Sequence, residues 1–281
     1  MPGLMPSLMP TLSIVGAGHV ARVLGRLFHA HGAFALRQVV ARSPESAQRG
    51  VDFIGAGSVA RFDELQHADC YMLAVTDDQI GPACEALAAA VSLAGAVVFH
   101  CSGALASDQL VAARAAGAHV ASVHPIRSFA DPDAVAAAFA GTFCGIEGDA
   151  AALALLTPAL EAIGARPVVI DAAAKTVYHA AAVFASNYLV TVLDAALRAY
   201  QAAGIPEPVA RELARPLAQE SLSNVFRLGA APALSGPIAR GDLATVARQQ
   251  GAVTAWDGPT GALYEALVAP TQALAARKPV R

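Results

Sequence analysis

The chain has 281 residues, 56% of them hydrophobic and only 15% charged, which is enough apolar material for one large or two ordinary cores and excludes an extended disordered protein. A formal net charge of -3 gives no basic footprint for a nucleic acid and no polybasic anchor for a membrane, so the expected partners are a small-molecule substrate and a second copy of the chain. Cys70, Cys84, Cys101 and Cys144 form no C-x-x-C pair and no metal-binding group with nearby histidines; they read as small core residues of a reducing compartment, with no disulfide and no metal expected.

In chain order, MPGLMPSLMP has neither a basic start nor a long apolar run, and its prolines oppose a helix, so residues 1–10 are expected to be a disordered tail, with Met5 and Met9 as alternative starts. Short β-rich runs follow at 12–15, 36–40, 70–75, 96–101, 119–123, 142–146 and 167–170, alternating with helical stretches. That alternation is the pattern of βαβ units stacked into a doubly wound parallel sheet, and it predicts a Rossmann-like domain over 11–171. From Ala172 the pattern changes. Residues 172–203 run without glycine or proline as one long helix, and PEPVARELARPLAQESLSNVFRLG reads as a second helix with Pro216 as a kink or break. Two shorter helices near 242–250 and 261–276 complete an all-α second domain over 172–281, so the fold class is α/β with a helical second domain. The long helix carries more apolar surface than a small domain can bury, which predicts a homodimer through this domain. The apolar stretches are alanine-rich and broken by charges or prolines, none makes a convincing membrane span, and the expected location is the cytoplasm.

The first strand leads straight into Gly16-Ala17-Gly18-His19-Val20-Ala21, a G-x-G-x-x-A turn at the head of a helix. Its glycines let the backbone turn tightly and approach a pyrophosphate, the helix N-terminus meets the negative charge, and Ala21 keeps helix and sheet close. At the end of the second strand stand Arg42 and Ser43, with no carboxylate at the strand end to repel a phosphate; a guanidinium there can clamp a ribose 2'-phosphate, which favours NADP over NAD. Val75 and Thr76 close the third main strand as cofactor neighbours, and Asp77 and Asp78 read as caps of the helix that follows.

Two further strand ends carry polar residues, His100-Cys101-Ser102-Gly103 and Ser122-Val123-His124-Pro125, placing Ser102 and His124 near the nicotinamide end of a parallel sheet, as site groups or as turn residues. In the long helix, Lys175, His179 and Asn187 fall on one stripe at helical spacing; the stripe is a packing network or a pocket face with His179 as proton donor and Asn187 as a hydrogen-bonding clamp. Arg240 offers a fork for a substrate carboxylate, and Asp242 reads as an N-cap.

The segments VGAGHVA, FHCSGALASDQL, SVHPIRSFAD, YHAAAVFASNYL and SGPIARGD, in that order, resemble the oxidoreductases in which a Rossmann-like domain precedes a domain of unknown function called DUF2520. The resemblance covers nearly the whole chain after the tail. That group is similar to the ketopantoate, pyrroline-5-carboxylate and 6-phosphogluconate type dehydrogenases, and it implies a nicotinamide-linked reductase whose helical second domain closes the cleft and often builds the dimer. Ketopantoate reductases carry a catalytic lysine on the first helix of that domain, with asparagines one and two turns later. Matching the later asparagine to Asn187 puts His179 in the lysine's place and Val183 in that of the nearer asparagine, so Lys175 and His179 both stay open as the acid. The His124-Pro125 pair is also similar to prephenate dehydrogenases, without the rest of their pattern.

These readings combine into an NADP-dependent reductase of a small 2-keto acid or related carbonyl or imine, with ketopantoate the leading substrate. In that scheme His179 donates the proton, Asn187 and Ser102 hold the reacting oxygen, and Arg240 or His124 meets a carboxylate. A catalytically silent NADP-binding sensor is the alternative, and steady hydride turnover separates the two.

Overall fold

The computed structural model describes residues 9–278, so the expected tail lies, apart from Met9 and Pro10, outside the described residues. The chain divides into two compact units, 1–182 and 183–281.

In the first unit eight strands form one sheet: β1 (Thr11–Val15), β2 (Ala35–Val40), β3 (Ser58–Val59), β4 (Cys70–Leu73), β5 (Val97–His100), β6 (His119–Pro125), β7 (Phe143–Gly148) and β8 (Arg166–Val169), in the order β3-β2-β1-β4-β5-β6-β7-β8. The helices between them are α1 (His19–Ala30), α2 (Pro44–Ile54), α3 (Ile80–Ala90), α4 (Val111–Ala115), α5 (Pro132–Ala137) and α6 (Ala150–Ala162). This is the Rossmann-like order, reversing direction between β1 and β4, and the turn after β1 stands at that reversal. The alternation of strand residues divides the core. Cys70, Met72, Val97 and Phe99 pack with Leu24 and Phe28 of α1 and Leu156 and Leu160 of α6, while Tyr71, Leu73 and Val98 pack with Ile80, Cys84 and Leu87 of α3.

The sheet departs from the sequence expectation in two places. The two-residue edge strand β3 is too short to leave a pattern. β7 pairs antiparallel with β6, whereas every other pair in the sheet is parallel. Alternating hydrophobicity reports that a segment is a strand but not its direction, so the reversal was not legible. The reversal fixes the site, because it sets Glu147 opposite Ser122 and Gly145 opposite His124, while β5 sets His100 opposite Ser122 on the other side.

The long helical run begins with a turn at Ala172–Ala174 and continues as α7 (Lys175–Val183), a π turn over Phe184–Tyr188, and α8 (Leu189–Ala202). Its opening goes with the first unit because Lys175 and Tyr178 bond to sheet residues. One 18-residue window within Ala172–Ala202 reaches a mean hydropathy of 1.5, so the run is long and apolar enough to cross a membrane by length and composition alone.

The second unit continues with α9 (Glu207–Leu228), α10 (Ala230–Ala233), α11 (Leu243–Trp256) and α12 (Gly258–Ala276). Asp242 N-caps α11 by accepting the Thr245 N–H (3.1 Å), and Asp257 does the same for α12 through Thr260 (3.1 Å). α9 passes through Pro216 without a break; the residue is exposed, so water can serve the carbonyl that its missing N–H leaves free.

Candidate functional site

The turn after β1 has the geometry a phosphate cradle needs. Gly16 sits at φ +110°, and a Cβ there would overlap the carbonyl oxygen of Ala74 at the end of β4, so only glycine lets the two strand ends approach. A Cβ on Gly18 would meet nothing within 4 Å: this position is open on its outer side, where a ligand's phosphates would pass. Ala17 and Ala21 are buried, Val20 is half-buried, and α1 starts without a side-chain cap or an acidic residue in its first turn, leaving its N-terminal N–H groups for an anion. These residues fit a dinucleotide. His19 is exposed, and its Nδ1 bonds the Phe129 carbonyl (2.6 Å), tying the segment after β6 to the head of this helix.

At the end of β2, Arg42 is exposed and Ser43 caps α2, its hydroxyl accepting the Ser46 N–H (3.2 Å). A carboxylate does stand here: Glu45, in the first turn of α2, is held below the usual carboxylate range by its own backbone and by a hydrogen bond to Ser43. Val75 is half-buried beside the glycine turn; Thr76 is exposed and bonds Asp78.

Across β5, β6 and β7, His100, Ser122 and Glu147 stand side by side on one sheet face, and Lys175 reaches onto this row from α7. Its Nζ donates to Ser122 Oγ and lies 3.3 Å from Glu147 Oε1; Ser107 completes the carboxylate's shell through its N–H (2.8 Å) and hydroxyl (2.7 Å). Lys175 is 1% exposed and Glu147 4%, so each needs the other. Burial lowers the Lys175 pKa, and Glu147 opposes that shift. His100 is buried with Nδ1 accepting the Ser102 N–H (3.2 Å) and Nε2 donating to the Ala106 carbonyl (3.0 Å); burial pushes its pKa down to about 4. The Ser102 hydroxyl accepts the N–H groups of Ala104 (3.1 Å) and Leu105 (3.0 Å), which is the work of a turn residue.

One register step further along, His124, Tyr178 and His179 form a second cluster. His124 Nδ1 lies 2.9 Å from the Tyr178 hydroxyl, and the His124 and His179 rings pack edge-on with centroids 5.5 Å apart. Glycines make the room: a Cβ on Gly145 would overlap Tyr178 Oη, and one on Gly103 would overlap His179 Nδ1 and come within 2.8 Å of His124 Nε2. Burial, reinforced by His179 and Lys175 and opposed by Asp77, lowers the His124 pKa to about 4, and burial raises that of Tyr178 to about 12. His179 Nδ1 is buried with no hydrogen-bond partner among the described residues.

The structure therefore brings together Lys175, His179 and His124, three of the residues the sequence singled out. Asn187 lies in the π turn, where α spacing no longer holds, so the stripe joins Lys175 to His179 and stops there; Asn187 is exposed and its carbonyl accepts the Thr191 hydroxyl (3.3 Å). Arg240 ends a short 3-10 turn in the second unit and is exposed. Sequence reasoning missed Glu147 and Tyr178. The signal for Glu147 was a lone carboxylate inside an apolar strand; for Tyr178 it was a phenol one position before His179.

Residues 142–271 match the family described as Domain of unknown function (DUF2520), as the sequence resemblance implied. Among solved structures the chain is similar to protein TM1727 from Thermotoga maritima (26% identity, 95% of this chain and 98% of that one, TM-score 0.73). It is similar also to BF3122 from Bacteroides fragilis, a candidate NADP oxidoreductase (21%, 94% and 98%, TM-score 0.77). A third is the reductive aminase from Aspergillus terreus in complex with NADPH and ethyl-5-oxohexanoate (18%, 96% and 93%, TM-score 0.67). None of the curated proteins matches the chain.

Proposed function

We propose that the protein is an NAD(P)-dependent oxidoreductase that reduces a small carbonyl or imine compound. The observation that carries the reading is positional: β1, β4, β5 and β6 are parallel, so the phosphate cradle after β1 and the imidazoles of His100 and His124 in the last positions of β5 and β6 lie at one edge of one sheet. The solved structures of similar fold whose descriptions name NADP or NADPH support a nicotinamide cofactor. When bound, the cofactor supplies hydride; the protein has to hold the substrate, exclude water and give a proton.

We assign the proton to His179. Its alternative, Lys175, has its ammonium engaged by Ser122 and Glu147, whereas His179 is a partly exposed imidazole that no carboxylate holds. Lys175 then anchors the start of α7 to β6 and β7. Asn187 remains assigned to the reacting oxygen and Arg240 to a carboxylate, on residue chemistry alone; the Ser102 hydroxyl is engaged in its own turn and burial keeps His124 neutral, which disfavours the roles the sequence gave them. Arg42 supports NADP over NAD, small 2-keto acids and cyclic imines are the first substrates to try, ketopantoate included, and the protein works as a cytoplasmic homodimer.

The test is a cofactor-oxidation screen followed by His179→Ala on the activity found. Turnover should fall by about 10² to 10⁴ with NADPH affinity unchanged, while an acid at Lys175 would exchange the outcomes of the two alanine variants. A protein that binds NADPH and turns over none of the keto acids or imines would be the silent sensor.

A further inference from the structure

The first turn of α1 ends on a cation that the chain's own groups do not satisfy. Arg22 is half-buried, its Nε is shut off from water, and that nitrogen has no hydrogen-bond partner among the described residues. The rest of its guanidinium makes no hydrogen bond, ion pair or aromatic contact among them either. Other arginines of the first unit behave differently. Arg26 bonds Asp133 (3.0 Å) and lies over the Phe53 ring (5.0 Å to its centre), Arg114 pairs with Asp149 (3.1 Å), and Arg127 donates to Thr142 Oγ1 (3.3 Å). Arg37, Arg42 and Arg49 have no partner, but they are exposed and water serves them. Arg22 combines burial with the lack of an acceptor, and a buried donor left unpaired is a cost to the fold rather than a support.

Its place follows from its neighbours on the helix. Gly25 packs on α2, where an added Cβ would come within 2.8 Å of Ile54 Cδ1, and Arg26 covers Phe53 of the same helix. Arg22 shares this flank of α1 one turn nearer the start. Because β1 and β2 are parallel, α1 and α2 begin at the same edge of the sheet and run the same way, so Arg22 stands beside the opening turns of α2, which Arg42 and Ser43 precede. Helical side chains lean back toward the N-terminus, and this carries the guanidinium toward that edge. Two close approaches draw the edge together. The Gly16 N–H donates to the Val40 carbonyl (2.8 Å), and Gly50 of α2 admits Ala17, whose Cβ would lie 3.2 Å from a Cβ at position 50.

We propose that Arg22 is a second cation for the 2'-phosphate of NADPH, acting together with Arg42. The inference rests on the nicotinamide-cofactor reading and adds to it a specificity residue on a different helix. The pyrophosphate is met by the N–H groups at the head of α1, on the helix axis. Arg22 lies off that axis on the α2 flank, toward the end of β2, where folds of this kind hold the adenosine ribose. A phosphate monoester offers the acceptors that Nε–H and the terminal N–H groups need, and a guanidinium meets it in a forked pair of bonds. Half-burial makes the contact more valuable than one from exposed Arg42, because a partly buried pair is screened less by salt and water.

The experiment titrates NADPH and NADH into the full chain and into its Arg22→Met and Arg22→Lys variants by calorimetry, with no turnover required. The two cofactors differ only in the 2'-phosphate. Arg22→Met should weaken NADPH by about tenfold and NADH by less than about twofold. Arg22→Lys keeps the charge without the fork and should recover part of the loss. The urea midpoint of Arg22→Met without nucleotide should hold or rise, since an N–H buried without an acceptor has been removed, so a selective loss of NADPH is not a folding defect. A loss shared equally by both cofactors would put Arg22 at the pyrophosphate or in the fold, and no loss at all would make it a side chain without a ligand; either result overturns the proposal. Tighter binding of NADH than of NADPH by the unaltered protein overturns it as well, and leaves the dinucleotide reading in place. Failure of that reading looks different: the unaltered protein would bind neither cofactor.

Discussion

In the first unit a lysine is buried and paired on a sheet face, whereas in the second every described ion pair lies at the surface and large apolar side chains point outward. Lys175 and Glu147 are almost inaccessible, but Arg198 with Asp194 and Asp257, and Arg211 with Glu207, all keep solvent contact. Phe184 is 69% exposed and Phe226 87%, while Ala195, Ala210 and Val246 are the buried hydrophobic residues of the second unit among those described. A sheet covered on both faces can bury a polar row and satisfy it from neighbouring strands. Amphipathic helices without such a platform leave apolar faces for another surface to cover.

The sharpest way to break the comparison is to remove one cation from each unit. Lys175→Met leaves Glu147 with a buried, uncompensated charge and should cost about 3–5 kcal/mol. Arg198→Met removes surface pairs and should cost about 1 kcal/mol or less. Urea unfolding reads both. Adding Glu147→Gln to Lys175→Met should recover part of the loss, since the amide oxygen still accepts from Ser107 and the stranded charge is gone. Equal costs for the two single substitutions would remove the distinction.

Acid should separate the units as well. All eight histidines precede residue 183, and burial lowers the pKa values of His100 and His124 to about 4 from the ordinary 6.5. Their unfolded forms bind protons first, so the stability they contribute is complete above pH 6.5 and is lost as pH falls toward about 4, by up to about 3 kcal/mol each. In the second unit Asp242 and Asp257 are lowered by their cap hydrogen bonds to Thr245 and Thr260, and that contribution is lost only below the usual aspartate range. The single tryptophan, Trp256, lies in the second unit and reports on it by fluorescence, so between pH 6.5 and 4 its unfolding midpoint should change less than the far-ultraviolet signal of the sheet. His124→Asn should flatten the sheet's response; parallel titration of both signals would count against the assignment.

How much of this was legible depended on whether a local pattern carried the information. Strand alternation and the glycine turn identified the sheet and the cradle because both are set by residues within a few positions. The direction of β7 was not legible, and with it went the pairing of Glu147 with Ser122 and the space at Gly145, since register between strands is a tertiary property. The polar stripe was half legible. Lys175 and His179 obey α spacing, whereas the π turn at Phe184–Tyr188 ends it before Asn187.

The exposed face of the second unit yields the next effect in size. If a second copy covers it, the protein should scatter light as a dimer, and Phe226→Glu should weaken association by about 2 kcal/mol, roughly 30-fold, without changing the urea midpoint of the sheet. A monomer at high micromolar concentration would mean that this surface serves something else.

The smallest expected effect concerns the cofactor's ribose, at the edge of the first unit where charge is exposed. Arg42 can meet a 2'-phosphate there, so NADPH should bind about tenfold tighter than NADH, a difference of about 1.4 kcal/mol, measured by fluorescence titration. Arg42→Asp should erase or reverse it. Glu45 makes the expectation more specific, because its carboxylate bonds to Ser43 and opposes a second negative charge beside it. Glu45→Gln should therefore strengthen NADPH binding a few-fold with little effect on NADH. Ser43→Ala should act mainly on folding, through loss of the α2 cap at about 1 kcal/mol, because that hydroxyl already serves Ser46. Equal affinities for NADPH and NADH in the unaltered protein would remove Arg42 from phosphate recognition and leave it a solvated surface residue.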